Sequence, residues 1–298
     1  MLITQTQINK VQRSAVLNPL FSILIPSWNN LPYLQLCIES IRKNSVYTHQ
    51  IIVHINEGKE GTLEWVQSQP DIDYSFSAEN IGICYALNYA ATLAVTDYIL
   101  YMNDDMYTCP QWDEALHKEI LSIGHPYFFL SGTMIEPYDT GNASVIYKDF
   151  GTDIASFNEK ALLENCASLE KADWSGATWP PNIVHKDIWD MVGGYSTEFH
   201  PGMYSDPDFS MKLWKMGIRL FKGVGDCKVY HFSGRSTNRV NKNKGYYTFI
   251  QKWGFHSGFF NKHYLKRGEP FTPALKEPEK NRIYSAKNLY KRIIASFQ

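Results

Sequence analysis

The segment FSILIPSWNNLPYLQLCIESIRKNS, Phe21 to Ser45, changes its hydrophobic period midway. Phe21–Pro26 is a short continuous apolar run, the pattern of a strand buried on both faces. Directly after it, Leu34, Cys37, Ile38 and Ile41 recur at helical spacing. The alternation then repeats. Gln50–Ile55 reads as a strand, Leu63–Gln69 as a helix and Tyr74–Ser77 as a short strand. In NIGICYALNYAATLAV, Ile83, Ala86, Leu87, Ala90 and Ala91 share one helical face, and Tyr98–Met102 is the next strand. Strands alternating with helices imply βαβ crossovers, hence an α/β, Rossmann-like, mostly parallel sheet flanked by helices.

Beyond Asp105 the pattern loosens. It predicts a helix over Trp112–Ile123, a strand over Tyr127–Met134 and a Gly/Asp/Asn-rich loop around Pro137–Asn142. A helix over Asp208–Met216, closed by Gly217, and a strand over Lys228–Phe232 follow. Residues 1–18 read as a polar leader with little fixed structure. The 298 residues are 44% apolar and 14% aromatic, ample for a packed core, and exclude a disordered chain. The longest uncharged apolar runs fall far short of the roughly 20 residues of a membrane helix. The N-terminus lacks the charged-then-apolar pattern of a secretory signal. Five widely spaced cysteines without a CxxC pair argue against a zinc site or a disulfide framework, and favour a reducing cytoplasm.

Charge is unevenly distributed. Residues 235–298 hold 14 Lys and Arg against three acids, whereas 1–234 hold 15 against 27. This basic, mostly helical C-terminal extension suits an anionic membrane surface, which would make the protein peripheral on the inner face of the membrane. Pairing with the protein's own acidic body is the alternative. Its interleaved aromatics would also suit nucleic acid, but that partner is ranked below and is not expected.

Parallel sheets bind ligands beyond the carboxyl ends of their strands. Three such ends carry polar clusters here: Ser27-Trp28-Asn29, Asn56-Glu57-Gly58 and Asn103-Asp104-Asp105. Two adjacent carboxylates about 4 Å apart repel by a few kcal/mol at an effective dielectric near 20. A hard cation such as Mg2+ or Mn2+ removes that repulsion and takes one or two carboxylates plus substrate phosphates. An Asp-rich loop with a helix cap would explain the pair as simply.

Six segments together resemble family 2 glycosyltransferases of the GT-A fold, over roughly Phe21–Ser236. FSILIPSWNNLPYLQLCIESI is similar to the family's opening strand and helix, with Pro26, Ser27, Trp28 and Asn29 at its Pro-Thr-Tyr-Asn positions. NIGICYALN fits Asn-x-Gly-x-x-x-Ala-x-Asn at Asn80, Gly82, Ala86 and Asn88, and NDDM fits the Asp-x-Asp-type metal motif. GATWPPNIVHKDIWDMVGGYSTEF, YSDPDFSMKLWKMGIRL and KVYHFSGRST resemble, in order, the stretch before the base, the base helix and the C-terminal His motif.

The resemblance implies a GT-A domain over 19–234, with a nucleotide-binding half (19–106) and an acceptor-binding half (107–234), followed by the 235–298 extension. It implies Mn2+ or Mg2+ as cofactor, held by Asp105 and His231. A lone His at a strand end is otherwise most simply structural. The donor would be a nucleotide-diphospho-sugar, a UDP-sugar favoured, contacted by Pro26, Ser27, Trp28, Asn56, Asn80, Gly82, Asn103 and Asp104. Asp206 would be the catalytic base of an inverting transfer, since a carboxylate opposite the leaving diphosphate must take the acceptor proton. Asp208 is the alternative base, and Asp at a helix start also serves as a cap. Trp174, Trp179 and Tyr204 would lie on the side of a saccharide or lipid-linked acceptor. Ser205 stands where the family usually has Glu, and Asn56 where it has Asp. Those departures keep a non-catalytic nucleotide-sugar-binding module open. A nucleotidyltransferase would show a Gly-rich, basic loop after the first strand, which SWNNLPYL is not. A dehydrogenase is disfavoured, because no GxGxxG follows Ile25.

Overall fold

The computed structural model describes residues 7–13, 16–232, 244–279 and 281–297. The chain runs β1 (Ile8–Val11), β2 (Ser22–Trp28), α1 (Leu31–Asn44), β3 (Gln50–Asn56), α2 (Thr62–Ser68), β4 (Ile72–Ser77), α3 (Gly82–Ala91) and β5 (Tyr98–Tyr101). It continues through β6 (Met106–Thr108), α4 (Trp112–Ile123), β7 (Phe128–Glu136), β8 (Val145–Tyr147), α5 (Glu159–Asn165), β9 (Trp174–Ser175), β10 (Asn182–His185) and α6 (Lys186–Val192). The last elements are α7 (Ser205–Met216), β11 (Leu220–His231), α8 (Gly245–Trp253), α9 (Ser257–Phe259) and α10 (Arg282–Ala295).

One sheet orders these strands β1-β4-β3-β2-β5-β10-β7-β11-β6, with β8 beside β7 and β9 beside β11. β4, β3, β2 and β5 are parallel neighbours, joined by α1, α2 and α3 as the alternating pattern requires. The period of two decides which core each side chain enters. Ile23, Ile25, Val53 and Ile55 face α1 and α4, whereas Leu24 and Ile52 face α3 and the side chains of α6 and α7. The sheet is thus covered on both faces, an α/β three-layer arrangement. A third cluster, around Tyr107, Ile135, Phe150, Leu162 and Tyr230, packs under α5.

Several expectations change. The leader expected over 1–18 contains β1, which pairs antiparallel with β4 at the sheet edge; residues 1–6, 14 and 15 lie outside the described residues. β10 enters antiparallel between β5 and β7, so the sheet is mixed beyond β5. β11 starts at Leu220 rather than Lys228, because its first half pairs with β7 and lets the Trp174 ring lie on Gly223, where a Cβ would come within 1.8 Å. α7 starts at Ser205 rather than Asp208; its cap is Tyr204 at φ 71°, so neither aspartate is the cap. Gly217 closes it at φ 107° as expected.

The 235–298 extension is not one surface element. Phe249, Phe260, Leu265 and Leu275 are buried in the same core as Phe209 and Trp214 of α7. The SGRST end of the His motif and the boundary at 234/235 lie outside the described residues.

Candidate active site

β2 and β3 pair in register through Trp28 opposite Asn56, and Asn56 stands opposite Ser77, so these strands end level. A cavity of about 650 Å3 opens there, roofed by residues 201–207. Eight donor-side candidates line it: Pro26, Ser27, Trp28, Asn56, Asn80, Gly82, Asn103 and Asp104. Trp179, Tyr204, Asp206 and His231 line the same space.

The polar groups of the floor are tied together. Asp104 is buried and accepts from the Ser27 hydroxyl at 2.7 Å; the Asn103 side-chain oxygen accepts from the Tyr101 hydroxyl at 2.7 Å. Asn56 accepts from the Ile81 N–H at 2.9 Å, and Asn80 from the Gly82 N–H at 2.9 Å, which fixes the turn into α3. Gly82 is needed there for two reasons. Its φ is 70°, and a Cβ would meet His200 Nδ1 at 2.5 Å and the Pro201 backbone at 2.8 Å. The Asn-x-Gly motif therefore lets the roof pack directly on the floor.

Asp105, Glu136 and His231 meet at the ends of β5, β7 and β11. His231 Nδ1 donates to Glu136 Oε1 at 2.8 Å, which turns Nε2 toward Asp105 Oδ1 at 3.4 Å. Asp105 Oδ1 is buried without a hydrogen-bond partner. Burial disfavours a charged imidazole here, yet the Asp105 and Glu136 carboxylates outweigh it and raise the His231 pKa to about 10. Asp105 and His231 Nε2 therefore share a proton here, and a cation could take that proton's place. The donor set suits Mn2+ or Mg2+, with Glu136 orienting the imidazole from behind. Among the described residues no group of three or more His, Cys, Asp or Glu is placed to hold a metal ion by itself, so Asp105 and His231 would supply two ligands at most.

Asp206 lines the same cavity, half-buried in the first turn of α7, and accepts from the Tyr195 hydroxyl at 3.0 Å. Burial pushes its carboxyl up to about 7, while the Tyr195 hydrogen bond pulls it down. A carboxylate poised near neutrality can take a proton at physiological pH. Tyr195 is itself held by Asn88, whose side chain accepts from the Tyr195 N–H and donates to its carbonyl, both at 2.8 Å. Sequence reasoning placed Asn88 in a motif without a role and missed Tyr195, Tyr101 and Glu136. Only Glu136 carried a signal, as an acid ending an apolar strand.

Two candidates lie elsewhere. Asp208 is fully buried, two residues and about 200° of helix beyond Asp206. It accepts from Trp253 Nε1 at 2.8 Å and pairs with Lys252 Nζ at 2.9 Å, pinning α8 to α7. Trp174 is buried against Gly223 and donates to Thr133 Oγ1 at 3.0 Å, so it is core rather than acceptor wall. Trp179 remains on the wall, with the Arg267 guanidinium stacked 3.8 Å over its ring.

Residues 22–146 match the family described as glycosyl transferase family 2. A comparison with curated protein sequences finds no match. Among solved structures, the chain is similar to S. aureus TarS 1-349, at 13% identity and TM-score 0.57, over 93% of this chain and 72% of that one. The same fragment is known in complex with UDP-GlcNAc, at the same identity and TM-score. GalNAc-T7, solved with UDP, GalNAc and Mn2+, is similar at 13% identity and TM-score 0.55, over 78% of this chain and 47% of that one. At such identities the likeness concerns the fold. The resemblance to family 2 glycosyltransferases is thus shown, by sequence over residues 22–146 and by a shared GT-A fold over most of the chain.

Proposed function

We propose that the protein is a metal-dependent, inverting glycosyltransferase of hexosyl type, moving a sugar from a nucleotide-diphospho-sugar to a hydroxyl of a saccharide or lipid-linked acceptor. The observation that carries this reading is the meeting, in one cavity, of Asp104, Glu136 and His231 from the strand ends with Asp206 from the first turn of α7. Asp105 and His231 would hold a divalent cation, which supplies positive charge to the departing diphosphate. The chain's own residues do the rest. Asn56, Asn80 and Asp104 present hydrogen-bonding edges to the nucleotide, and Trp28 offers a ring for the base. Asp206 takes the acceptor proton as the acceptor oxygen bonds to the anomeric carbon and the bond to the diphosphate breaks on the opposite face, which inverts that carbon. Tyr195 holds the carboxylate in place for this step.

The UDP-bound neighbours favour a UDP-sugar, and the Mn2+-bound one favours manganese. Five free, buried cysteines support a reducing, cytoplasmic setting. A role in surface polysaccharide assembly rests on the family alone.

The test pairs calorimetry with transfer. In the presence of Mn2+, Asp206→Asn should bind the UDP-sugar with wild-type affinity and transfer at least about a hundredfold more slowly, the range general bases contribute. Lost donor binding, or retained transfer, removes Asp206 from the base role.

A further inference from the structure

A surface helix of a globular protein normally buries its apolar face and shows its polar face to water. α10 is laid the other way. The face turned to the protein carries Asn288 and Lys291, half-buried, and Ala295, fully buried. There the Gln251 side-chain amide donates to the Ala295 carbonyl at 2.6 Å, and Tyr284 packs on Phe259 and His263. The opposite face carries Ile283, Leu289, Tyr290 and Ile293, exposed by 64, 56, 66 and 52%, and runs on to Phe297 at 81%. At 3.6 residues per turn the four within the helix share an arc of about 120°, centred roughly opposite the packed face, with Arg282 at the helix start on the same arc.

Charge says what covers this arc. Residues 281–298 carry Arg282, Lys287, Lys291 and Arg292 and no acid. Lys291 lies on the packed face, so two copies joined through the arc would set three exposed cations, Arg282, Lys287 and Arg292, against three, with no carboxylate on either helix to offset them. Anionic headgroups offset these three. The 14 residues of α10 span about 21 Å, short of the roughly 30 Å hydrocarbon core. No described helix is long and apolar enough to cross a membrane. We propose that α10 docks the protein on an anionic lipid bilayer, its apolar arc lying in the plane between headgroups and acyl chains.

This inference rests on the surface alone and does not depend on the transferase reading. Its consequence for that reading is the acceptor. Ser257 and Asn261 line the cavity, and Tyr284 of α10 packs on Phe259 between them in sequence. A docked α10 therefore brings one wall of the cavity to the membrane, where a lipid-linked acceptor would be presented.

The experiment is flotation of the full chain with vesicles of phosphatidylcholine alone and of phosphatidylcholine mixed with phosphatidylglycerol. Wild type should float with the anionic vesicles only, and less so as salt rises. Tyr290→Ser with Ile293→Ser should weaken partition by at least about tenfold. Lys287→Gln with Arg292→Gln should weaken it by about twenty-fivefold, at about fivefold per cation. All variants should keep the wild-type melting temperature and UDP binding, which separates this outcome from a failure of the donor site. Partition that ignores lipid charge or the variants overturns the proposal. So does a chain that stays off vesicles but sediments as a dimer dissociated by the same variants.

Discussion

Replacing Tyr195 by Phe removes one oxygen from the site and little else. The Tyr195 ring is buried and stacks on Phe209 at 4.7 Å with an interplanar angle of 7°, contacts that Phe retains. Asn88 holds the backbone of residue 195, so that grip also survives. What is lost is the O–H donated to Asp206 at 3.0 Å. A hydrogen bond to a charged acceptor is worth about 1.5–3 kcal/mol, or roughly one to two pKa units. Asp206 opens on the cavity, where water takes over part of that role, so about one unit is expected. The donor favours the ionised carboxylate, and its loss raises the pKa from about 7 toward about 8. A base must be ionised to act. The acid limb of log kcat/KM should therefore move up by about one unit, with an about eightfold loss near pH 6.5 and near convergence with wild type above about pH 9. The assay is a pH profile of UDP release in the presence of acceptor. An unmoved or lowered acid limb would falsify the claim that Asp206 is the titrating base. A uniform loss at every pH would show that Tyr195 acts by position and not through the carboxylate's charge.

Three further substitutions separate structure from chemistry. Gly82→Ala forces a Cβ against the Pro201 backbone at a positive φ and should cost about 2–4 kcal/mol in denaturant unfolding; an unchanged midpoint would mean that the roof does not depend on this contact. Asp208→Ala strips Trp253 and Lys252 of their shared acceptor, although Lys252 keeps Glu198 at 2.7 Å, and should cost about 2–3 kcal/mol while sparing UDP binding. Lost transfer with unchanged stability would return Asp208 to the chemistry. Asp105→Asn should weaken Mn2+ binding in the presence of UDP by more than about a hundredfold, beyond the effect typical of an outer-shell partner, with the fold intact by circular dichroism. Wild-type Mn2+ affinity in that variant would place the cation elsewhere.

What could be read from the chain follows from how far each signal reaches along it. β2, β3 and β5 are covered on both faces and so appear as apolar runs, and α4 has the Trp112–Ile123 bounds that its period predicts. β1 reads INKV, a polar edge strand whose only warrant is its partner β4. β6, β9 and β10 have two to four residues each and exist because longer strands stand beside them. α7 begins early because Pro207 sits in its first turn, where the missing N–H costs nothing, and not at a break. At the site, the strand-end rule found residues whose placement depends on their own strand. It passed over Glu136, which ends β7 two residues beyond the expected Met134 and whose role is set by a histidine 95 positions away, and it had no purchase on Tyr195, which acts through a carboxylate in the next helix.

The basic extension shows the same limit in a sharper form. Its charge balance is a sum over 64 residues, and a sum cannot say which of them face water. Lys252 belongs to the excess, yet it is committed to Asp208 and Glu198 inside the fold. Phe249 and Phe260 sit in the same stretch and are fully buried. On α10 the exposed cations Arg282, Lys287 and Arg292 stand beside exposed apolar side chains, which is what sets them apart from the extension's other described cations. A membrane role assigned to the whole extension would predict that neutralising Lys252 weakens docking. The structure assigns that residue to the junction of α7 and α8, so its loss should lower stability and leave docking on vesicles unchanged.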